Sequence, residues 1–199
     1  MSDPQPYHHG NLREALVDAA CHAVAEHGYE TLSLRSLAEE VGVARSAPYR
    51  HFPDKEALLA EVARRGFERM REDLTAIHHS TDSPRMKLIA TGRAFLQFTQ
   101  ANPQLFRLMY DAQLVHPATP YPELAEGMAG SYHLLEQLYQ QYAPTSSVRK
   151  RQLRMITLWA TLYGYAKVRR DGVLQPYMTS ALDDAEIDAA VLDFMIGSE

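Results

Sequence analysis

Between residues 28 and 53 the chain carries helically spaced apolar residues that are interrupted at Gly28, Gly42 and Pro53. A long helix does not survive such punctuation. Glycine readily takes the left-handed conformation that ends a helix, and proline lacks the N–H that would continue one. Strand is disfavoured too, because the apolar residues return every three or four positions and not every two. Leu34, Leu37, Ala38 and Val41 mark a short helix that Ser33 can cap and Gly42 can end. Val43 leads through a turn of a few residues into a second short helix, Arg45 to Phe52, which Pro53 closes. Before this pair, Leu12, Leu16, Ala19, Ala20, Ala23 and Val24 follow an Asn11 cap and stop at Gly28. After it, Asp54 caps a long helix through Leu58, Leu59, Val62, Ala63, Phe67, Met70, Leu74 and Ile77, ending near His79. Two short helices joined by a glycine turn and braced by a preceding helix form a helix-turn-helix, whose second helix can enter a major groove.

The rest of the chain keeps the helical period. Helices fit about 84–101, 103–115, 121–142, 147–170 and 184–196, separated by Asn102-Pro103, HPATPYP, APTSS and DGVLQPYMTSALDD. With no alternation of period two and no internal repeat, the expected fold class is all-α. At 199 residues and 46% hydrophobic content a sizeable core is available, in one large domain or two small ones. The net charge of −5 excludes a protein that coats nucleic acid through bulk charge, so any such binding must be local. The opening MSDPQPYHHG is polar where a signal peptide needs an apolar stretch, and no apolar run reaches the ~18–20 residues of a membrane span. A cytoplasmic location with no membrane partner is expected.

Little points to catalysis. Cys21, the only cysteine, lies among Ala19, Ala20, Ala23 and Val24 and reads as an inert buried thiol. The histidines (His8, His9, His22, His27, His51, His78, His79, His116 and His133) form neither HExxH nor the paired Glu-x-x-His of a di-iron bundle. P-loop, GxSxG and GxGxxG patterns are also absent. No metal, cofactor or catalytic residue is expected. The competing class is a helical protein-interaction module, or a helical enzyme, that does not bind DNA.

The stretch from Gly28 to Leu59, GYETLSLRSLAEEVGVARSAPYRHFPDKEALL, is more specific than a generic helix-turn-helix. Gly28 ends the first helix and Ser33 opens the second; Leu37-Ala38, Gly42-Val43, Tyr49-Arg50-His51-Phe52 and Lys55-Glu56-Ala57-Leu58 follow in order. It resembles the DNA-binding domain of the TetR family of transcriptional regulators. The resemblance implies a helix-turn-helix DNA-binding domain over 1–53, a connecting helix over 54–79, and a helical ligand-binding and dimerisation domain over 80–199. It also implies a homodimeric regulator, expected to be a repressor released from a near-palindromic double-stranded DNA operator by a small-molecule ligand.

The polar residues of this stretch suit a groove or a phosphate. Arg45 and Ser46 open the second short helix, the end that points at base edges, where an arginine can bond guanine bidentately and Ala47 can touch a thymine methyl. By resemblance, Ser33, Tyr49, His51 and Lys55 are phosphate contacts, and Arg35 matches a position that reaches a base in some family members. Pro48 stands where the family usually has leucine or isoleucine. Residues 1–52 hold four arginines against seven carboxylates, so the acids are expected on the back face, with few phosphate contacts and a modest salt dependence.

Further along, NPQLFRLMY at 102–110 and Trp159-Ala-Thr-Leu-Tyr163-Gly164, with Asp171-Gly172 after it, resemble a subgroup with a Trp-x-x-x-His-Gly signature, Tyr163 standing in place of the histidine. Phe95, Phe98, Phe106, Met109, Tyr110, Trp159 and Tyr163 are candidates to line a ligand pocket, with plain core filling as the alternative. Between Phe95 and Tyr142 the charges are Arg107, Asp111, Glu123, Glu126 and Glu136, with no lysine, which favours a neutral or cationic aromatic ligand. The helix at 147–170 is apolar on two faces, one with Met155, Ile156, Trp159 and Tyr163 and the other with Leu158, Leu162 and Tyr165. The last helix carries Ile187, Ala190, Val191, Phe194 and Met195. Leu158, Leu162, Tyr165, Ile187, Val191 and Phe194 are therefore expected at a four-helix dimer interface, with intrachain packing as the alternative.

Overall fold

The computed structural model describes residues 12–112, 114 and 121–197. Its elements, all helical among these residues, are α1 (Leu12–His27), α2 (Leu34–Val41), a 3-10 turn (Pro48–Arg50), α3 (Lys55–His78), α4 (Pro84–Ala101), α5 (Pro103–Asp111), α6 (Pro122–Tyr142), α7 (Val148–Arg170), α8 (Pro176–Thr179) and α9 (Asp184–Ile196). The Asn11 cap and most of HPATPYP lie outside the described residues. Local chemistry sets most boundaries. Ser83 caps α4 with Pro84 in the first turn, and Ser147 caps α7. Asp183 and Glu186 form a reciprocal capping box on α9. Lys167, Arg169 and Arg170 sit in the last turn of α7, where cations offset the helix dipole. The unexpected α8 begins at Pro176, a residue that breaks a helix from within but suits its first position.

The described residues pack as two compact units. The first holds 12–66 with the described part of 104–125, and the second holds 67–103 with 126–197. The division therefore falls inside α3 and not at residue 53, and α5 beyond Pro103 goes with the first unit. In that unit Leu16, Leu37, Leu58, Phe106 and Met109 are buried together with Phe52. Gly66 permits the approach of α5 to α3, since a Cβ there would overlap Met109. In the second unit α4, α7 and α9 pack on one another. Gly92 of α4 lies against Leu192 of α9 so closely that a Cβ would overlap it.

The phase of α7 differs from the expectation. Leu158 and Leu162 are 1% and 5% exposed within the single chain, on the side that also buries Met155 and Ala166. The open side of α7 instead carries Leu153, Ile156 at 64% exposure and Trp159 at 47%. Tyr165 is engaged inside the chain as well. Its hydroxyl donates to Asp188 of α9 at 2.6 Å, and Arg169 reaches Asp188 at 2.5 Å and Asp184 at 2.6 Å. Burial, and then the Asp188 carboxylate, push the Tyr165 phenol far above its ordinary range, so it keeps the proton it donates. On α9, Leu192, Met195 and Ile196 are buried, Ile187 and Val191 are half-buried, and Phe194 is 77% exposed.

Candidate nucleic-acid interface

The helix-turn-helix is closed by hydrogen bonds that the sequence supplies within a few residues. Ser33 Oγ accepts the Ser36 N–H at 3.1 Å, and Ser36 Oγ accepts the Ser33 N–H at 3.3 Å while donating to the Ser33 carbonyl at 2.8 Å. The Ser33 hydroxyl hydrogen is left for Ser36 Oγ, 2.9 Å away, or for an incoming acceptor. At the other end of α2, Gly42 is left-handed at φ 76°. Its N–H donates to Glu39 O at 3.2 Å, and the Val43 N–H donates to Ala38 O at 2.9 Å. This pairing is a Schellman motif, and it satisfies carbonyls that the end of a helix otherwise leaves open.

The second short helix is not the eight-residue helix expected from Arg45 to Phe52. Arg45 and Ser46 lie on a turn, and only Pro48–Arg50 forms a 3-10 element. The reason is Pro48, which has no N–H to give the Ala44 carbonyl. Ala47 donates to that carbonyl instead, at 2.8 Å; Arg50 then donates to Ala47 O at 3.2 Å and His51 to Pro48 O at 2.9 Å. Pro48 is buried, and so is Phe52, over whose ring the Arg13 guanidinium stands at 5.3 Å.

Arg35, Ser33, Arg45, Ser46, Tyr49 and His51 are exposed, while Ala47 and Lys55 are half-buried. The two cations with the sharpest assigned roles already have partners. Arg45 pairs with Glu39 at 2.5 Å, and Lys55 donates to the Glu30 carbonyl at 2.8 Å. Glu39 was not singled out from the sequence, since six residues across a glycine turn is not a helical spacing. The acids of this region are also held by bases from beyond residue 52. Arg65 binds Glu14 and Asp18, and Arg107 binds Glu30. Glu61 receives Arg64 at 2.7 Å and Arg13 at 3.1 Å; the Arg64 hydrogen bond, opposed in part by burial, holds its carboxyl below the ordinary value. Burial pushes the Cys21 thiol up, which disfavours its reactive thiolate.

The aromatic candidates for a pocket fall into separate groups. Phe106 and Met109 are buried in the first unit, with the Phe106 and Tyr110 rings 5.1 Å apart. In the second unit Phe98 is buried and Phe95 half-buried, while Trp159 stacks on Tyr163 at 5.0 Å and 8°. A groove of about 1570 Å³ in that unit is lined by other residues, among them Arg85, Tyr142, Lys150, Leu153, Arg154 and Phe194. Among the described residues no group of three His, Cys, Asp or Glu side chains could hold a metal, and no helix is long and apolar enough to cross a membrane.

Comparison with known proteins agrees with this arrangement. The family described as bacterial regulatory proteins, tetR family, matches residues 16–62, and the tetracyclin repressor-like C-terminal domain matches residues 88–194. The HTH-type transcriptional repressor AcnR of Corynebacterium efficiens is 40% identical over 65 residues, 33% of this chain and 35% of that protein. The HTH-type transcriptional regulator BetI of Agrobacterium fabrum is 33% identical over 92 residues, 46% of this chain and 45% of that protein. The chain thus spans between a third and a half of the length of these curated relatives. A solved structure of a protein with unknown function from Rhodococcus sp. RHA1 superposes with a TM-score of 0.78 at 29% identity, covering 97% of both chains. With the reading head matched by the first family description and more than half of the chain by the second, the protein belongs to the tetR family of bacterial regulatory proteins.

Proposed function

We propose that the chain is a homodimeric, cytoplasmic DNA-binding transcriptional regulator, a repressor that a small-molecule ligand releases from a near-palindromic operator. The observation that carries this reading is the exposure of Arg45, Ser46, Tyr49 and His51 together, on the turn that a capped α2 and its Schellman motif hold in place. Arginine offers paired donors to guanine, and the hydroxyls and imidazole offer donors to phosphate. AcnR is a transcriptional repressor and BetI a transcriptional regulator, which points the same way. The open side of α7, with Ile156 and Trp159, and the neighbouring Phe194 of α9 suit a second copy of the chain. Such a four-helix contact would set two reading heads on half-sites ~34–36 Å apart or a multiple of that spacing. The stacked Trp159–Tyr163 pair supports placement in the Trp-x-x-x-His-Gly subgroup, with tyrosine in the histidine position.

Phe95 and Phe98 support an aromatic effector, neutral or cationic, in the second unit. α3 is one continuous helix whose start belongs to the first unit and whose end belongs to the second, which supports it as the lever between effector and operator. By linkage each must weaken the other by the same factor. The deciding experiment selects bound fragments from random duplexes at moderate salt. Enrichment of a near-palindrome is expected, and a folded, dimeric protein that enriches no sequence would refute the reading.

A further inference from the structure

We infer that Pro48 determines sequence specificity: by replacing the start of the reading helix with 3-10 turns, it selects which side chains reach the bases. The inference rests on the regulator reading above and deepens it. In an unbroken α-helix from Arg45 to Phe52, Arg45 and Tyr49 would share a face one turn apart, and so would Ser46 and Arg50. The observed backbone instead makes three-residue turns, Ala47 N–H to Ala44 O and Arg50 N–H to Ala47 O, before Pro48 O accepts both the His51 N–H at 2.9 Å and, four residues on, the Phe52 N–H at 3.0 Å. Ser46 keeps Tyr49, and Ala47 keeps Arg50, as a neighbour three residues on, but Arg45 no longer lines up with Tyr49, nor Ser46 with Arg50. Arg45 lies on the first of these turns, where its guanidinium meets Glu39 of α2 at 2.5 Å.

The turn is anchored as well as bent. Pro48 is buried while Arg45, Ser46, Tyr49 and Arg50 on either side of it are exposed. Its ring fixes φ at about −65° and its missing N–H denies the Ala44 carbonyl an i to i−4 bond, so the free protein cannot close an α-helical turn there before any DNA arrives. Within the turn, base reading is thereby confined to Arg45, Ser46 and Ala47, ahead of the proline. Tyr49, Arg50 and His51, behind it, serve the backbone of the duplex. Restoring an N–H at position 48 would let the Ala44 carbonyl take an i to i−4 bond and return Arg45 and Tyr49 to one face.

The test compares the native chain with Pro48→Ala and Pro48→Leu, checking each for cooperative melting and helical circular dichroism. Fragment selection and titration against the native protein's own enriched duplex and a random duplex follow. Both variants are expected to select an altered sequence and to lose about tenfold or more in the ratio of cognate to random affinity, the value of roughly one base contact. Affinity for random DNA should change by no more than about twofold, as expected when phosphate contacts are kept. An unchanged enriched sequence and ratio, or equal losses on both duplexes, would overturn the inference. Variants of the native backbone give a second readout that does not depend on folding at position 48. Ser46→Ala should lower cognate binding alone and Arg50→Ala should lower both equally, whereas altered base preference from Arg50→Ala overturns the inference. No enriched sequence from the native chain would instead overturn the regulator reading and this inference with it.

Discussion

The charges of Arg45 and Lys55, the cations proposed to contact DNA, are already engaged, the first by the Glu39 carboxylate and the second by the Glu30 carbonyl. An exposed ion pair is worth only about 0–1 kcal/mol, so a bidentate guanine worth about 1–3 kcal/mol would displace Glu39. Arg45→Ala should therefore weaken operator binding by about 1–3 kcal/mol with little effect on random DNA. Lys55→Ala should weaken all sequences alike and flatten the salt slope by about one. Loss of a partner for the Glu30 carbonyl should also lower its stability by about 1 kcal/mol. Titrations of both duplexes over a salt series, with thermal melts of each variant, check these outcomes; equal losses for Arg45→Ala on both duplexes would overturn its assignment. Glu61 makes a separate prediction about acid. Its carboxyl is held below the ordinary value by Arg64 and then Arg13, so its stabilisation is complete above about pH 4.5 and is lost as pH falls through the lowered value. Melts from about pH 3 to about pH 6 should show a steeper acid limb for the native chain than for Glu61→Gln, because the glutamine has no proton to bind. Arg45, Ser46 and Tyr49 were legible as residues, since type and position within the motif suffice. Their own-chain partners were not, because Glu39 reaches Arg45 only through the fold of the Gly42 turn.

At the scale of elements, helix ends were legible to within a residue or two wherever a cap or breaker is local: Ser33, Gly42, Ser83, Ser147 and Asp183 each act on residues no more than about five positions away. Gly42→Ala tests this directly. A Cβ at that position meets nothing within 4 Å, so the cost comes only from the left-handed backbone and should be about 1–2 kcal/mol. Gly92→Ala differs in kind. It gains helix propensity of about 1 kcal/mol but forces Leu192 to shift, an overpacking that costs about 1–3 kcal/mol. Denaturant unfolding should therefore show Gly92→Ala partly rescued by Leu192→Ala, a coupling that Gly42→Ala cannot have; simple additivity at Gly92 and Leu192 would contradict the close approach of α4 and α9. The reading helix is the element that the apolar spacing misjudged. Pro48 carried the information locally, but a hydrophobic period does not register a missing N–H.

At the scale of the whole molecule, the two apolar faces of α7 have different fates. Ile156→Glu combined with Trp159→Glu should give a folded monomer by light scattering and weaken operator binding, whereas Leu158→Ala should leave the oligomer intact and cost about 2–5 kcal/mol of folding stability. A double variant that stays dimeric would remove α7 from the proposed interface. The amino-acid sequence by itself determined most of the helices and their capped ends and the position of the helix-turn-helix, though not α8 or the short extent of its second helix. Each of these follows from hydrogen bonds and steric limits among residues a few positions apart. Only the tertiary structure decided that Leu158 and Leu162 face inward while Ile156 and Trp159 stay open, that Arg65 pairs with Glu14 and Asp18 and Arg107 with Glu30, and that α5 packs with the first unit. Burial and charge pairing depend on what an element meets across many tens of residues of chain, and a helix with two apolar faces is equally stable by its own local rules whichever face its neighbours cover.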